Sequence, residues 1–165
     1  MIASEIPVFT RRLDSPQPVS LEHAVCCAAD AEFAVGAILS AMGSFPFGVS
    51  DALAVQLGVR ETLSRSLPAE DQRGTTAKFH VRTSLTSASV RVQIDDVSES
   101  EAVVLAADRL RWGQLPAEFR QRLQLAKTYM TSVDVHQQGR QIVLSRARGQ
   151  GFAVSALPAG YDFQI

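Results

Sequence analysis

The chain has 165 residues, 46% hydrophobic and 20% charged, with a formal net charge of −1. That length suits one domain with a real core, and the near-neutral balance gives no general pull towards nucleic acid or an anionic membrane. No apolar stretch approaches the ~20 residues that span a bilayer. The N-terminus lacks a basic segment followed by an apolar run, so no signal peptide is expected.

Cys26 and Cys27 are the only cysteines and are adjacent. A bridge between neighbours is strained, and there is no second pair to complete a metal site. They are expected to be small buried or half-buried residues in a reducing, cytoplasmic setting.

Residues 1–18, with Pro7, Pro16 and Pro18, are expected to form an extended arm. Val19, Leu21, His23, Val25 and Cys27 alternate as one face of a strand. Asp30 is expected to cap a helix running to Met42, striped by Phe33, Ala34, Ala37, Ile38 and Ala41, with Gly43 at its stop. Phe45 and Phe47 follow in a loop and are expected to fold back onto the core.

A longer helix starts at Ser50, a good N-cap, with Asp51 suiting the positive end of the helix dipole. Leu53, Val55, Leu57, Val59, Leu63 and Leu67 give it an apolar face, and Pro68 stops it. Glu61 and Arg65, four apart, share a face. Phe79, Val81 and Thr83 then alternate with polar residues, as do Val90, Val92 and Ile94. Joined through residues 85–88, the two runs predict an antiparallel hairpin. Side chains two apart share a strand face, so Asp96 continues the buried row of Val90, Val92 and Ile94. An acid there either turns to solvent at the strand end or needs a partner or a ligand, with Glu61 and Arg65 of the long helix nearby.

Ser98 and Glu101 have capping-box spacing ahead of a short helix over 102–110, although a strand at 103–105 also fits. Pro116 is placed to open another helix, striped by Phe119, Leu123, Ala126 and Met130. Val133 and Val135, a turn at Gln138–Gly139, and 142–144 predict a second hairpin. Residues 149–165 read as a tail. The expected fold is α+β: a two-layer sandwich with a mixed, mostly antiparallel five-stranded sheet and helices on one face, its body spanning 19–148.

This order of elements resembles the GHKL (histidine-kinase-like) ATPase fold, and more narrowly the anti-sigma-factor serine kinases. Glu61 falls where that family has its glutamate base. Asp96 falls where it has the aspartate that reads adenine. Leu123 to Val135, with Tyr129-Met130, is similar to the helix and strand after the family's second glycine box. The departures matter as much. The asparagine that would hold Mg²⁺ is Arg65. The glycines expected after the aspartate are Ser98 and Ser100, and the second glycine box is Arg120-Gln121-Arg122. Those glycines let the backbone approach the nucleotide closely.

The resemblance therefore implies the fold together with a degenerate nucleotide site. Its remnant would comprise Glu61, Arg65, Asp96, Ser98, Arg120 and Arg122, without catalytic residues, metal or cofactor. The implied function is a transcription-regulating, protein-binding domain. It would form a homodimer through the first strand and helix, and would bind a sigma factor or an anti-anti-sigma-like protein, with neither nucleic acid nor membrane as a partner. The alternative is an ATP-dependent serine kinase with an altered, metal-independent nucleotide or phosphate site, where Arg109, Arg111, Arg120 and Arg122 would gather.

Overall fold

A computed structural model describes residues 16–64, 67, 77–98 and 109–151. Its strands are β1 (Val19–Val25), β2 (Phe79–Leu85), β3 (Ser89–Asp96), β4 (Arg109–Leu110), β5 (Ser132–His136) and β6 (Gln141–Ala147). Its α-helices are α1 (Ala28–Met42), α2 (Val49–Ser64), α3 (Ala117–Arg122) and α4 (Gln124–Tyr129). The strands form one sheet in the order β1-β2-β3-β6-β5-β4. Every pairing among the described residues is antiparallel. The molecule is an α+β two-layer sandwich. It differs from expectation in having no parallel pair among the described residues and in gaining a two-residue sixth strand at the β5 edge.

Both hairpins form where the alternation places them. In β2, Phe79, Val81, Thr83 and Leu85 are buried and the residues between them exposed. The β2–β3 connection is closed by Thr86, whose hydroxyl accepts the Ala88 and Ser89 N–H groups. The β5–β6 turn has positive φ at Gln137, Gln138 and Gly139. Only Gly139 adopts this without a Cβ penalty.

The inward row of the sheet meets α1 over β1 and β2, α2 over β6 and α4 over β5. Val55, Val59 and Leu63 of α2 join Val81, Val92, Ile94 and Leu144 in the main core. Phe45 is buried and Phe47 packs against the same cluster, so the loop aromatics do fold back.

Several boundaries differ from the sequence reading. The strand β1 ends at Val25, and Cys27 is the N-cap of α1. Asp30 is not the cap. It sits in the first turn and its carboxylate accepts the Cys26 N–H at 2.9 Å, closing the joint between β1 and α1 from inside the helix. Phe33 does not face the core: the buried face is Ala31, Ala34, Val35, Ile38 and Met42, and Phe33 is 71% exposed.

Ser50 lies inside α2, which starts at Val49. Pro116 is the N-cap of α3 rather than its first residue, and the helix it opens breaks at Leu123 into α3 and α4. Of the helix expected over 102–110, residues 102–108 lie outside the described residues, and its end is instead the strand β4, Arg109–Leu110. The strand at 103–105, the arm at 1–15 and the tail from 152 also lie outside the described residues. Among the described residues no helix is long and apolar enough to cross a membrane.

Candidate functional site

The acid singled out by strand parity is where parity puts it. Asp96 closes β3 opposite Phe79, on the row of Val90, Val92 and Ile94, and is half-buried. Its N–H donates to the Arg140 carbonyl at 2.7 Å. Its carboxylate is engaged locally: Oδ1 accepts the Ser98 N–H at 2.9 Å and also the Ser98 hydroxyl. Ser98, where the resembled family has glycine, thus supplies a side chain that occupies the acid.

Arg122 joins this end of the sheet. Burial pushes its guanidinium below the ordinary arginine range, while the Asp96 and Glu118 carboxylates pull it back up. Its Nε is buried without a hydrogen-bond partner among the described residues. The guanidinium carbon lies 4.8 Å from the centroid of the Phe119 ring, a cation–π distance. Asp96, Ser98 and Arg122 are therefore brought together. Arg120 is not part of this group: it is exposed on the outer side of α3. Glu61 is half-buried near the end of α2. Arg65 lies outside the described residues, so the Glu61–Arg65 pair does too.

The most heavily buried ionic group departs from the sequence expectation. Asp51 suits an exposed first-turn acid favouring the helix dipole. Instead it is 1% exposed and paired with the equally buried Arg146 of β6. Arg146 Nε donates to Asp51 Oδ1 at 3.0 Å, and Nη1 donates to the Tyr129 carbonyl at the end of α4 at 2.9 Å. Asp51 Oδ2 accepts the Gly149 N–H at 2.8 Å. Two signals in the sequence point to this pair. Helical spacing puts Asp51 on the face of Val55 and Gly58, and strand parity puts Arg146 on the row of Ile142 and Leu144.

A second polar cluster lies on the open face of the sheet. Asp95 accepts Arg82 Nη2 and Gln141 Nε2, each at 2.7 Å, and Gln93 Nε2 at 3.1 Å. Burial raises the Asp95 pKa, but these three donors and the Arg82 charge outweigh it and hold the carboxyl below its usual range. Beside it is a shallow groove of about 200 Å³, lined by Ser20, Glu22, Arg82, Ser84 and Arg91 among others. Arg82 is tied to Asp95 there.

Cys26 and Cys27 are free, half-buried thiols. Burial and the Asp30 carboxylate push the Cys26 thiol up, which makes it a weak nucleophile. Among the described residues no three His, Cys, Asp or Glu side chains converge as metal ligands. No model of a known protein family matches this chain, and no curated protein matches it either.

Proposed function

We propose that the chain is a non-enzymatic, regulatory protein-binding domain whose nucleotide site has degenerated. The observation that carries this reading is the outer side of β1 and α1. The edge strand β1 has no partner on its outer side among the described residues. It has no lysine and no bulge, and its one charge is Glu22, with Pro18 directly before it. Next to it α1 exposes Phe33, whose ring meets His23 edge-on at a centroid distance of 5.8 Å. Ala29, Phe33, Gly36 and Ser40 line up at helical spacing, all exposed and uncharged. A large exposed aromatic in a charge-poor stripe beside an open edge suits a protein contact.

The occupant proposed is a second copy of the chain, with a sigma factor or an anti-anti-sigma-like protein as a further partner. A cytoplasmic setting is proposed with it and suits the two free thiols. The engagement of Asp96 Oδ1 by Ser98 is in keeping with this reading, because it takes one of the two carboxylate oxygens that could accept an adenine amine. Light scattering tests the association. A dimer is expected, moving to monomer in Gly36→Arg, and a wild-type monomer at high micromolar concentration overturns self-association.

One observation favours a second reading, an ATP-dependent serine kinase with a metal-independent phosphate site. The buried Arg122 Nε has no described partner, and arginine binds phosphate without a metal. Phosphate release above background, abolished by Glu61→Gln, would establish that reading.

A further inference from the structure

Three arginines of the described residues have acids beside them. Arg60 pairs with Glu32, Arg82 with Asp95 and Arg146 with Asp51. The segment from 109 to 127 gathers several more in a short run. It holds Arg109, Arg111, Arg120, Arg122 and Lys127 against a single acid, Glu118. Arg111, Arg120 and Lys127 are exposed, and none makes an ion pair with a described residue.

The structure gives two of them, Arg120 and Lys127, a common setting. Backbone hydrogen bonds run on through the break at Leu123, from Arg120 to Pro116, from Leu123 to Phe119 and from Lys127 to Leu123. Arg120, Gln124 and Lys127 therefore share one outward stripe, about 10 Å long at 1.5 Å per residue. At its far end the Lys127 ammonium lies 5.7 Å from the centroid of the Trp112 ring. Trp112 is half-buried, held against the core on one side and open on the other. Arg111 precedes it in the chain.

We infer that this face, Arg111, Trp112, Arg120 and Lys127, docks a short acidic segment of a partner protein. The inference rests on the reading of the chain as a protein-binding domain and names the chemistry of one partner. Charge selects the class of ligand. Two cations two helical turns apart, with Arg111 next to the tryptophan in the chain, match two or three carboxylates at helical spacing. They do not match a long polyanion. A nucleic acid or a membrane plane would extend past the stripe onto a molecule whose remaining charge is net negative. The aromatic ring beside Lys127 supplies the apolar contact that a peptide stem needs, and Trp and Arg are among the commonest anchors of such contacts.

Trp112 is the single tryptophan of the chain, so its emission reports on this face alone. The full-length protein is titrated with a short poly-L-glutamate peptide, with a poly-L-glutamine peptide of the same length, with a single-stranded oligonucleotide and with phosphatidylserine vesicles, and then all four are repeated on Arg120→Glu/Lys127→Glu. Both substitutions fall on exposed side chains, and unchanged far-UV circular dichroism and thermal midpoint establish that the variant is folded. The expected result is a saturable change in Trp112 emission with poly-glutamate only, lost at high salt. The double variant is expected to weaken it at least about tenfold. An equal response to poly-glutamine, tighter binding of the oligonucleotide or vesicles, or undiminished binding in the double variant overturns the inference. So does silence with poly-glutamate. A dimer in light scattering alongside that silence would remove this face and leave the β1–α1 reading standing.

Discussion

Asp51 and Arg146 are both removed from water, so each depends on the other. Taking two charges out of water costs roughly what their attraction returns, whereas removing one partner strands the other. Asp51→Asn or Arg146→Met alone is expected to destabilise the fold by about 3–5 kcal/mol, and the pair replaced together by apolar residues of similar volume should recover most of that loss. A double-mutant cycle by urea unfolding measures this. Additive losses would show that the two side chains act separately.

Asp95 gives a pH-dependent counterpart. Its carboxyl is held below its usual range in the folded chain. Its contribution to stability is therefore present above the unfolded value, about 3.9, and is lost as pH falls through the lower folded value. Wild type should exceed Asp95→Asn in urea stability at neutral pH, and the gap should close in acid. A gap that is independent of pH would contradict the role given to Arg82, Gln93 and Gln141.

Residue-level legibility is uneven for a physical reason. Parity places Asp96 on the inward row because β3 is recognisable as a hairpin member from its own alternation. The same rule on β6 puts Arg146 inward, and helical spacing puts Asp51 inward. Each has an ordinary surface explanation in the sequence, and their partnership joins positions 95 residues apart.

At the scale of elements, α2 and α4 show what close packing demands. A Cβ at Gly58 would lie 2.9 Å from the Met130 Cγ and 3.6 Å from the Ala126 Cα. The methionine side chain can swing aside but the α4 backbone cannot. Gly58→Ala should be nearly neutral, the strain on Met130 being offset by about 1 kcal/mol of helix propensity. Gly58→Leu should destabilise by about 1–3 kcal/mol. If Gly58→Leu unfolds at the wild-type urea midpoint, α2 and α4 are not in contact there.

The buried face of α1 is rotated by about one position from the stripe that the sequence suggests. Phe33 is the largest apolar residue in that helix and dominates the stripe. Yet α1 lies over the β1 edge, where the sheet covers a narrow face centred on Ala34 and Ile38. The break at Leu123 carries no signal, since neither glycine nor proline marks it. The β4 pairing joins only two residues, Arg109 and Leu110, too few for alternation to register.

For the molecule as a whole, the order of long elements is legible because each carries its own period, two for the hairpins and 3.6 for α1 and α2. The two-layer arrangement follows from that order. The candidate site is legible only in part: Asp96, Ser98 and Arg122 come together, Arg120 points away, and the Glu61–Arg65 pair lies outside the described residues.

Gly36→Arg separates association from folding. No atom lies within 4 Å of the place a Cβ would take at Gly36, and replacing a helical glycine should raise monomer stability by up to about 1 kcal/mol. A variant that is both more stable and monomeric is the expected outcome. One that is less stable would show that Gly36 is needed for packing within the subunit.

The proposal that binds these scales together is a fold that works through its surfaces and no longer binds a nucleotide at Asp96. Isothermal titration of the purified full-length chain with ATP, with and without Mg²⁺, addresses it most directly. No saturable heat is expected in either condition. Saturable binding that is lost in Asp96→Ala would contradict it.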